Sequence, residues 1–178
     1  MPASNGKNLF VTSDFDRKLY VWKSLPDQSG AFPDIVYSLQ DGPSPRCGRT
    51  PSRSRGRKLY IWRKLPLEGD LPDTIIQGRM GSIAFQDLKG VALDDRYFYL
   101  ADYGAEKVYV WEGLPDENLN PSPKFTLNED PRRLYSEGEY LSVDTIYDHS
   151  VKIYRVAEIS NNAAPVASVG GPGRMNGP

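Results

Sequence analysis

A short strand-like segment that recurs along the chain constrains the fold more than any other feature. Three copies contain lysine, an aliphatic residue, tyrosine, an aliphatic residue and tryptophan in that order: Lys18–Trp22, Lys58–Trp62 and Lys107–Trp111. In each copy a Leu-Pro pair begins three residues after the tryptophan. A weaker fourth copy, Lys152–Val156, keeps the lysine, an aliphatic residue and the tyrosine. The final positions of the copies are 40, 49 and 45 residues apart, a spacing that indicates an array of structural repeats.

Each copy has the composition of a β-strand, because β-branched and aromatic residues dominate and the flanks contain Gly, Pro, Asp and Asn. Alternation along a strand puts Leu19 and Val21 on one face and Tyr20 and Trp22 on the other. Both faces are apolar, so both must be covered, as they are when sheets stack face to face. Further strands are predicted around the third copy at Gly90–Leu93, Tyr97–Asp102 and Lys124–Leu127.

Four short antiparallel strands in about 40 residues are typical of one blade of a β-propeller. No segment sustains the apolar spacing of a helix over three turns. We therefore predict an all-β fold, a partial β-propeller of about 3–4 four-stranded antiparallel blades. The predicted parts are blade 1 at 1–40 with its inner strand missing, a degenerate Arg/Ser/Pro-rich loop at 41–57, the remainder of blade 2 at 58–77, blade 3 at 78–127, a weak blade 4 at 128–170, and a tail or the start of a missing blade at 171–178.

The repeat resembles that of the NHL-repeat β-propellers of bacteria and archaea. The resemblance rests on Tyr99–Asp102 with Val108–Trp111, on Gly90–Asp94, and on the Leu-Pro pair after each tryptophan. It covers most of residues 8–127 and, more loosely, 128–178. The resemblance implies a fold that serves many scaffolds and a few enzymes, including six-bladed lyases and lactonases with a metal at the ring centre. No Trp-Asp dipeptide of the WD type and no Gly-Gly pair of the kelch type accompanies the repeat.

The loop at 41–57 and the small number of blades both indicate an incomplete propeller. Apart from Cys47, the loop has no apolar side chain that could pack inside a blade. Complete propellers close a ring of about 4–8 blades. We therefore expect a truncated or frame-shifted fragment of a longer propeller. Its open blade faces would leave it marginally stable, aggregating or self-associating.

Charge and composition exclude several classes of function. Lysine and arginine total 22 against 23 Asp and Glu, so no overall field favours nucleic acid or an acidic membrane. The first residues lack the apolar core of a secretory signal, and no stretch of about 18 apolar residues is present. One Cys and one His exclude an intrachain disulfide and a zinc site built from several Cys and His ligands. We expect a soluble chain, and the sequence does not indicate its cellular compartment.

The aromatic anchors and the turn aspartates are the first candidate site residues. Tryptophan side chains could stack on sugars or bases. However, all three tryptophans occupy the same position of the repeat, which predicts that they are core anchors. These anchors are Trp22, Trp62, Trp111, Tyr20, Tyr60, Tyr109 and Tyr154. Asp14, Asp102 and Asp148 lie 8 or 9 residues before the last position of their copies, which predicts turn caps. Asp14–Asp16 and Asp94–Asp95 leave open the alternative of oxygen ligands for Ca²⁺.

The other candidates are a histidine and a basic run. His149 follows Asp148 in the turn before the fourth copy and is predicted to be a turn residue, because no G-x-S-x-G elbow accompanies it. The basic run could bind RNA or a phosphorylated partner, but it lacks interleaved aromatics and is predicted to be a solvated loop. It comprises Arg46, Arg49, Arg53, Arg55 and Arg57, with Lys58 beyond them.

The repeat type favours a non-catalytic scaffold that binds a partner protein through loops on one face of the propeller, or that self-associates through open blade edges. No catalytic, cofactor-binding or metal residue and no cofactor is predicted. The alternative is the remnant of a six-bladed metal-dependent lyase or lactonase. A fragment without independent function is the third possibility.

Overall fold

The computed structural model describes residues 2–4, 9–13, 18–27, 31–38, 58–61 and 71–171. Several sequence predictions lie outside the described residues. They concern Asp14 and Asp16, Trp62, the side chain of Tyr60, the loop at 41–57 with its five arginines, and the end of the tail at 172–178. The chain divides into two compact units, Met1–Arg55 with Tyr60–Ile75, and Gly56–Leu59 with Ile76–Pro178.

The expected all-β fold of four-stranded antiparallel sheets is confirmed. Three such sheets are described, each with its strands in chain order, as in the blades of a propeller. The blade 1 sheet contains β1 (Pro2–Ser4), β2 (Leu9–Ser13), β3 (Lys18–Trp22) and β4 (Ile35–Ser38). The blade 3 sheet contains β9 (Leu88–Leu93), β10 (Tyr97–Asp102), β11 (Lys107–Glu112) and β12 (Phe125–Asn128). The blade 4 sheet contains β13 (Pro131–Ser136), β14 (Tyr140–Thr145), β15 (Ser150–Arg155) and β16 (Ala167–Gly170).

Shorter elements lie between the blade 1 and blade 3 sheets in the sequence. β5 (Lys58–Ile61) and β6 (Thr74–Gln77) form a two-stranded sheet, and β7 (Arg79–Met80) and β8 (Ile83–Ala84) form a hairpin. Two 3-10 turns, Tyr103–Ala105 and Val156–Glu158, are the helical segments of the described residues. No helix in this part of the chain is long and apolar enough to cross a membrane.

The described parts of the three tryptophan-bearing copies belong to three different sheets, as the repeat requires. They are β3, β5 and β11. In the blade 1 sheet Val21 is fully buried, whereas Trp22 is half-buried and donates its indole N–H to the Ala31 carbonyl at 3.1 Å.

The structure corrects the expectation that blade 1 lacks its inner strand. β1 pairs antiparallel with β2, with Pro2 opposite Val11 and Ser4 opposite Leu9. The strand Pro2–Ser4 has no β-branched or aromatic residue. Side-chain pattern therefore could not reveal it, because it is defined by backbone pairing with an established neighbour.

The core of the second unit lies between the blade 3 and blade 4 sheets. All six residues of β10 are buried. One side of the core is formed by Tyr97, Tyr99, Val108, Val110 and Leu127, and the other by Leu141, Val143, Tyr154, Val156 and Ile159. The first strands of the two sheets approach closely at Gly90, where an added Cβ would lie 3.2 Å from the Arg132 carbonyl oxygen. Face-to-face stacking covers one apolar face of β10 and β11 in blade 3 and of β14 and β15 in blade 4.

Candidate functional site

The repeat anchors of the second unit are structural. Trp111 is fully buried, and Tyr109 and Tyr154 are also buried. The Trp111 ring packs against Tyr109 and Phe98, with centroids 5.9 and 6.1 Å away. A ring with no exposed area cannot stack on a ligand, so Trp111 belongs to the core. Its indole N–H has no hydrogen-bond partner among the described residues.

Asp102 fixes the turn after β10 and the segment that precedes β9. Its fully buried carboxylate accepts the Gln86 and Asp87 amides at 2.9 and 2.8 Å and the Ala105 amide at 3.3 Å. These are the N–H bonds that turn aspartates accept. The carboxylate therefore joins two loops at one end of the blade 3 sheet.

Asp148 occupies the corresponding turn of blade 4. It accepts hydrogen bonds from the hydroxyls of Thr145 and Ser150, the latter at 2.9 Å, and pairs with Lys152 at 3.3 Å. Burial acts to raise the pKa of Asp148, but the hydroxyl bonds and Lys152 outweigh it, so the pKa lies below its usual value. The neighbouring His149 is exposed and has a left-handed backbone, with φ of 50°.

The turns that follow β10 and β14 come together at one end of the second unit. Tyr103 donates its hydroxyl to the Tyr147 hydroxyl at 3.1 Å, and the two rings are 5.9 Å apart. Tyr147 is 64% exposed. We call this end the loop surface, defined as residues 86–87, 103–106, 129–130 and 146–149 together with Lys89 and Lys152.

A nearly buried carboxylate supports the loop surface from below. Glu129 pairs with Lys152 at 2.5 Å and accepts the Tyr154 hydroxyl, and its side chain is 8% exposed. Burial acts to lower the pKa of Lys152, but its bonds to Glu129 and then Asp148 raise it above the usual value. Burial and then Glu129 raise the pKa of Tyr154. Both donors therefore keep their protons at neutral pH, and the arrangement is a fixed ion pair.

The loop surface is acidic around its aromatic pair. Its residues include five carboxylates, Asp87, Glu106, Asp130, Asp148 and the nearly buried Glu129, against Lys89 and Lys152. Asp130 accepts the Ile146 amide at 2.9 Å and also the Tyr147 amide, which holds the exposed tyrosine in place. The hydrogen bond shared with the Tyr103 hydroxyl raises the pKa of Tyr147, and the nearby charges of Glu106 and Asp130 add to the effect.

At the opposite end of the sheets, Asp94 joins blade 3 to blade 4. Its Oδ2 accepts the Tyr99 and Ser136 hydroxyls, both at 2.7 Å, and its Oδ1 accepts the Arg96 and Tyr97 amides at 2.9 and 2.7 Å. Four donors occupy the carboxylate, so it acts as a turn cap and a link between blades. Among the described residues no group of three or more His, Cys, Asp or Glu could hold a metal ion.

Sequence reasoning missed Tyr103, Tyr147 and Glu129 as site residues. A signal for the tyrosines was present, because an aromatic residue adjoins the turn aspartate at Phe15, Tyr103 and Tyr147. Glu129 has no such signal. Its importance comes from the stacking of two sheets, which places it against Lys152 and Tyr154.

Comparison with known proteins leaves the family open. No protein-family model matches the chain, and no curated protein matches it. Among solved structures the chain is similar to a candidate 6-phosphogluconolactonase from Bacteroides uniformis, with 13% identity and a TM-score of 0.38. The similarity covers 95% of this chain and 41% of that one, so this chain spans less than half of that structure. A similarity at this level assigns neither a family nor an activity.

Proposed function

We propose that the protein is a non-catalytic repeat scaffold that binds a partner protein through the loop surface. The observation that carries the proposal is the contacting pair of half-buried Tyr103 and exposed Tyr147, joined through their hydroxyls, with the Tyr147 amide held by Asp130. Tyrosine supplies large contact area with few rotatable bonds and is enriched where proteins bind one another. The resemblance of the repeat to NHL-type propellers belongs to this proposal, and the four-stranded blade sheets support it.

The rigid support of the loop surface suits a binding role. Asp102 is fully buried and holds two of its loops through three backbone amides, and Glu129, 8% exposed, is fixed by Lys152 and Tyr154. A surface that is ordered before binding loses little conformational entropy when a partner docks. The excess of carboxylates over lysines favours a partner segment rich in Lys and Arg.

Photocrosslinking tests the proposal. The full chain carries benzoylphenylalanine at position 147 in one sample and at position 135 in the other. Tyr135 is the matched control, since it is also exposed, at 58%, but lies on β13 outside the loop surface. We expect one partner to crosslink at position 147 only, and Tyr147→Ala to weaken binding of that purified partner about tenfold or more. Binding should also weaken as salt rises.

Equal crosslinking at both positions, or unchanged binding of the purified partner by Tyr147→Ala, would contradict the proposed surface. The alternative of a metal-dependent lyase or lactonase remnant stays a prediction. Metal analysis of the purified full chain tests it, because stoichiometric bound metal would favour the enzyme class.

A further inference from the structure

A groove of about 620 Å³ runs along the outer strand of blade 3, entirely within the second unit. Its volume falls within the range of about 300–1,000 Å³ found for small-ligand sites. The β7–β8 hairpin, β11, β12, the segment before β12 and the turn at 161–162 all contribute to its lining. The groove shares no residue with the loop surface, which it adjoins at Lys107 and Asn128.

The hairpin wall of the groove is tightly packed against the segment before β12. Gly81 has φ of +53°, and a Cβ added there would lie 2.7 Å from the Pro121 carbonyl oxygen. The Arg79 guanidinium donates to the Gly81 carbonyl at 2.8 Å. This close approach holds the tip of the hairpin, with Ser82, in one position beside the groove.

The opposite wall is fixed by a backbone clip on the edge of β12. The Asn162 amide donates to the Thr126 carbonyl at 2.9 Å, and the Thr126 amide donates to Asn161 Oδ1 at 3.0 Å. Both outward backbone groups of Thr126 are therefore occupied. The walls of the groove are thus held by bonds within the chain. An incoming peptide strand could not pair with β12 at Thr126, because both outward backbone groups of that residue are occupied.

Most polar groups of the lining can still donate a hydrogen bond to a ligand. Asn128 Oδ1 already accepts from Lys107 Nζ at 2.8 Å, and Asn161 Oδ1 accepts from Thr126, so each amide has its NH₂ group remaining. Burial and then Asp102 raise the pKa of Tyr109, which keeps its phenol protonated. The lining contains no carboxylate, and Lys107 is its one charged residue.

We propose that this groove binds a hydroxyl-rich acidic sugar, such as a short oligosaccharide of uronic acids. Sugar hydroxyl and ring oxygens would accept from the amide groups and exchange hydrogen bonds with Ser82 and Ser122. The sugar carboxylate would pair with Lys107, whose charge no lining carboxylate balances. A nucleic acid fits less well. The lining has one cation, too few to follow a phosphate backbone, and the ring of Tyr109 is buried, so it cannot stack on a base.

Isothermal titration of the full chain with trigalacturonic acid and with neutral maltotriose tests the proposal. We expect trigalacturonic acid to bind at least about tenfold more tightly, the factor of one good charged contact. Ser82→Leu, a change at an exposed hairpin turn, should block both sugars by filling the groove. Lys107→Gln should remove the preference for the acidic sugar. Lys23→Gln, at an exposed lysine outside both the groove and the loop surface, is the matched control and should leave binding of both sugars unchanged.

Three results would overturn the proposal. The first is no heat from either sugar at about 10 mM, well above the millimolar Kd of a weak ligand. The second is equal affinity for the two sugars. The third is sugar binding that persists in Ser82→Leu. Saturation-transfer NMR with Tyr147→Ala separates this site from the loop surface. That variant should lose partner binding and keep sugar binding.

Discussion

Replacing Ser136 with alanine measures how strongly one hydrogen bond joins blades 3 and 4. The Ser136 hydroxyl and the Tyr99 hydroxyl each donate to the same oxygen of Asp94 at 2.7 Å. A hydrogen bond to a charged group contributes about 1.5–3 kcal/mol, and partial exposure reduces it. We expect Ser136→Ala to lower the free energy of unfolding by about 1–2 kcal/mol. The matching drop in Tm is roughly 2–8 °C for a chain of this size.

Thermal and urea unfolding at pH 7, followed by circular dichroism, provide the assay. Tyr135→Phe removes a hydroxyl from the exposed tyrosine that precedes Ser136 and has no bond to Asp94, and we expect it to change stability by less than about 0.5 kcal/mol. Because Ser136 and Tyr99 share one acceptor oxygen, the double variant Ser136→Ala/Tyr99→Phe should show a coupling energy of about 0.5 kcal/mol or more.

The pH dependence of the Ser136 deficit has a defined sign. Burial acts to raise the pKa of Asp94, but bonds from Ser136, Tyr97 and Tyr99 outweigh it and place the pKa below its ordinary value of 3.8. A lowered folded-state pKa stabilises the fold fully above the unfolded-state pKa, and this stability is lost as pH falls through the folded-state pKa. The deficit should be complete at pH 7 and shrink below pH 3.8. A deficit under about 0.5 kcal/mol at pH 7, or one that grows in acid, would refute the reasoning.

Two further substitutions test the supports of the loop surface and the groove. Asp102→Ala leaves three amides without their acceptor, so we expect a loss of about 2–5 kcal/mol. Faster amide hydrogen exchange at 86–87 should accompany it, and unchanged protection there would contradict the assigned role. Gly81→Ala meets both a positive φ and the nearby backbone, and should cost about 2–4 kcal/mol. Gly113→Ala, with φ of +72° and nothing within 4 Å, should cost only about 1–2 kcal/mol, and equal losses in the two variants would exclude the steric contribution.

The candidate sites show where a sequence pattern stops being informative. The period of the repeat predicted that Trp111 and Tyr109 are core residues and that Asp102 and Asp148 cap turns, because equal phase implies equal environment. The same period did not distinguish Trp22, which is half-buried and bonded to Ala31. Its indole bonds to Ala31, which lies beyond the shared Leu-Pro pair, where the sequences of the copies differ.

Residues without a repeat position could not be predicted at all. Glu129 and Asn161 lie in connecting segments, and their partners are 23 to 35 residues away along the chain. Strand β1 is similar, since Pro2–Ser4 pairs through its backbone and has no side-chain pattern. Each of these features depends on which segments become neighbours, and local composition does not encode that.

Residue pattern alone predicted the central strands of the blades and the burial of both faces of β10 and β11, because alternation of large apolar side chains acts over a few residues. The packing of the sheets is what makes Asp94 link two blades, brings Tyr103 to Tyr147 and forms a donor-rich groove beside β12. Those arrangements arise when separate sheets stack, and their energies come from contacts between residues far apart in the chain.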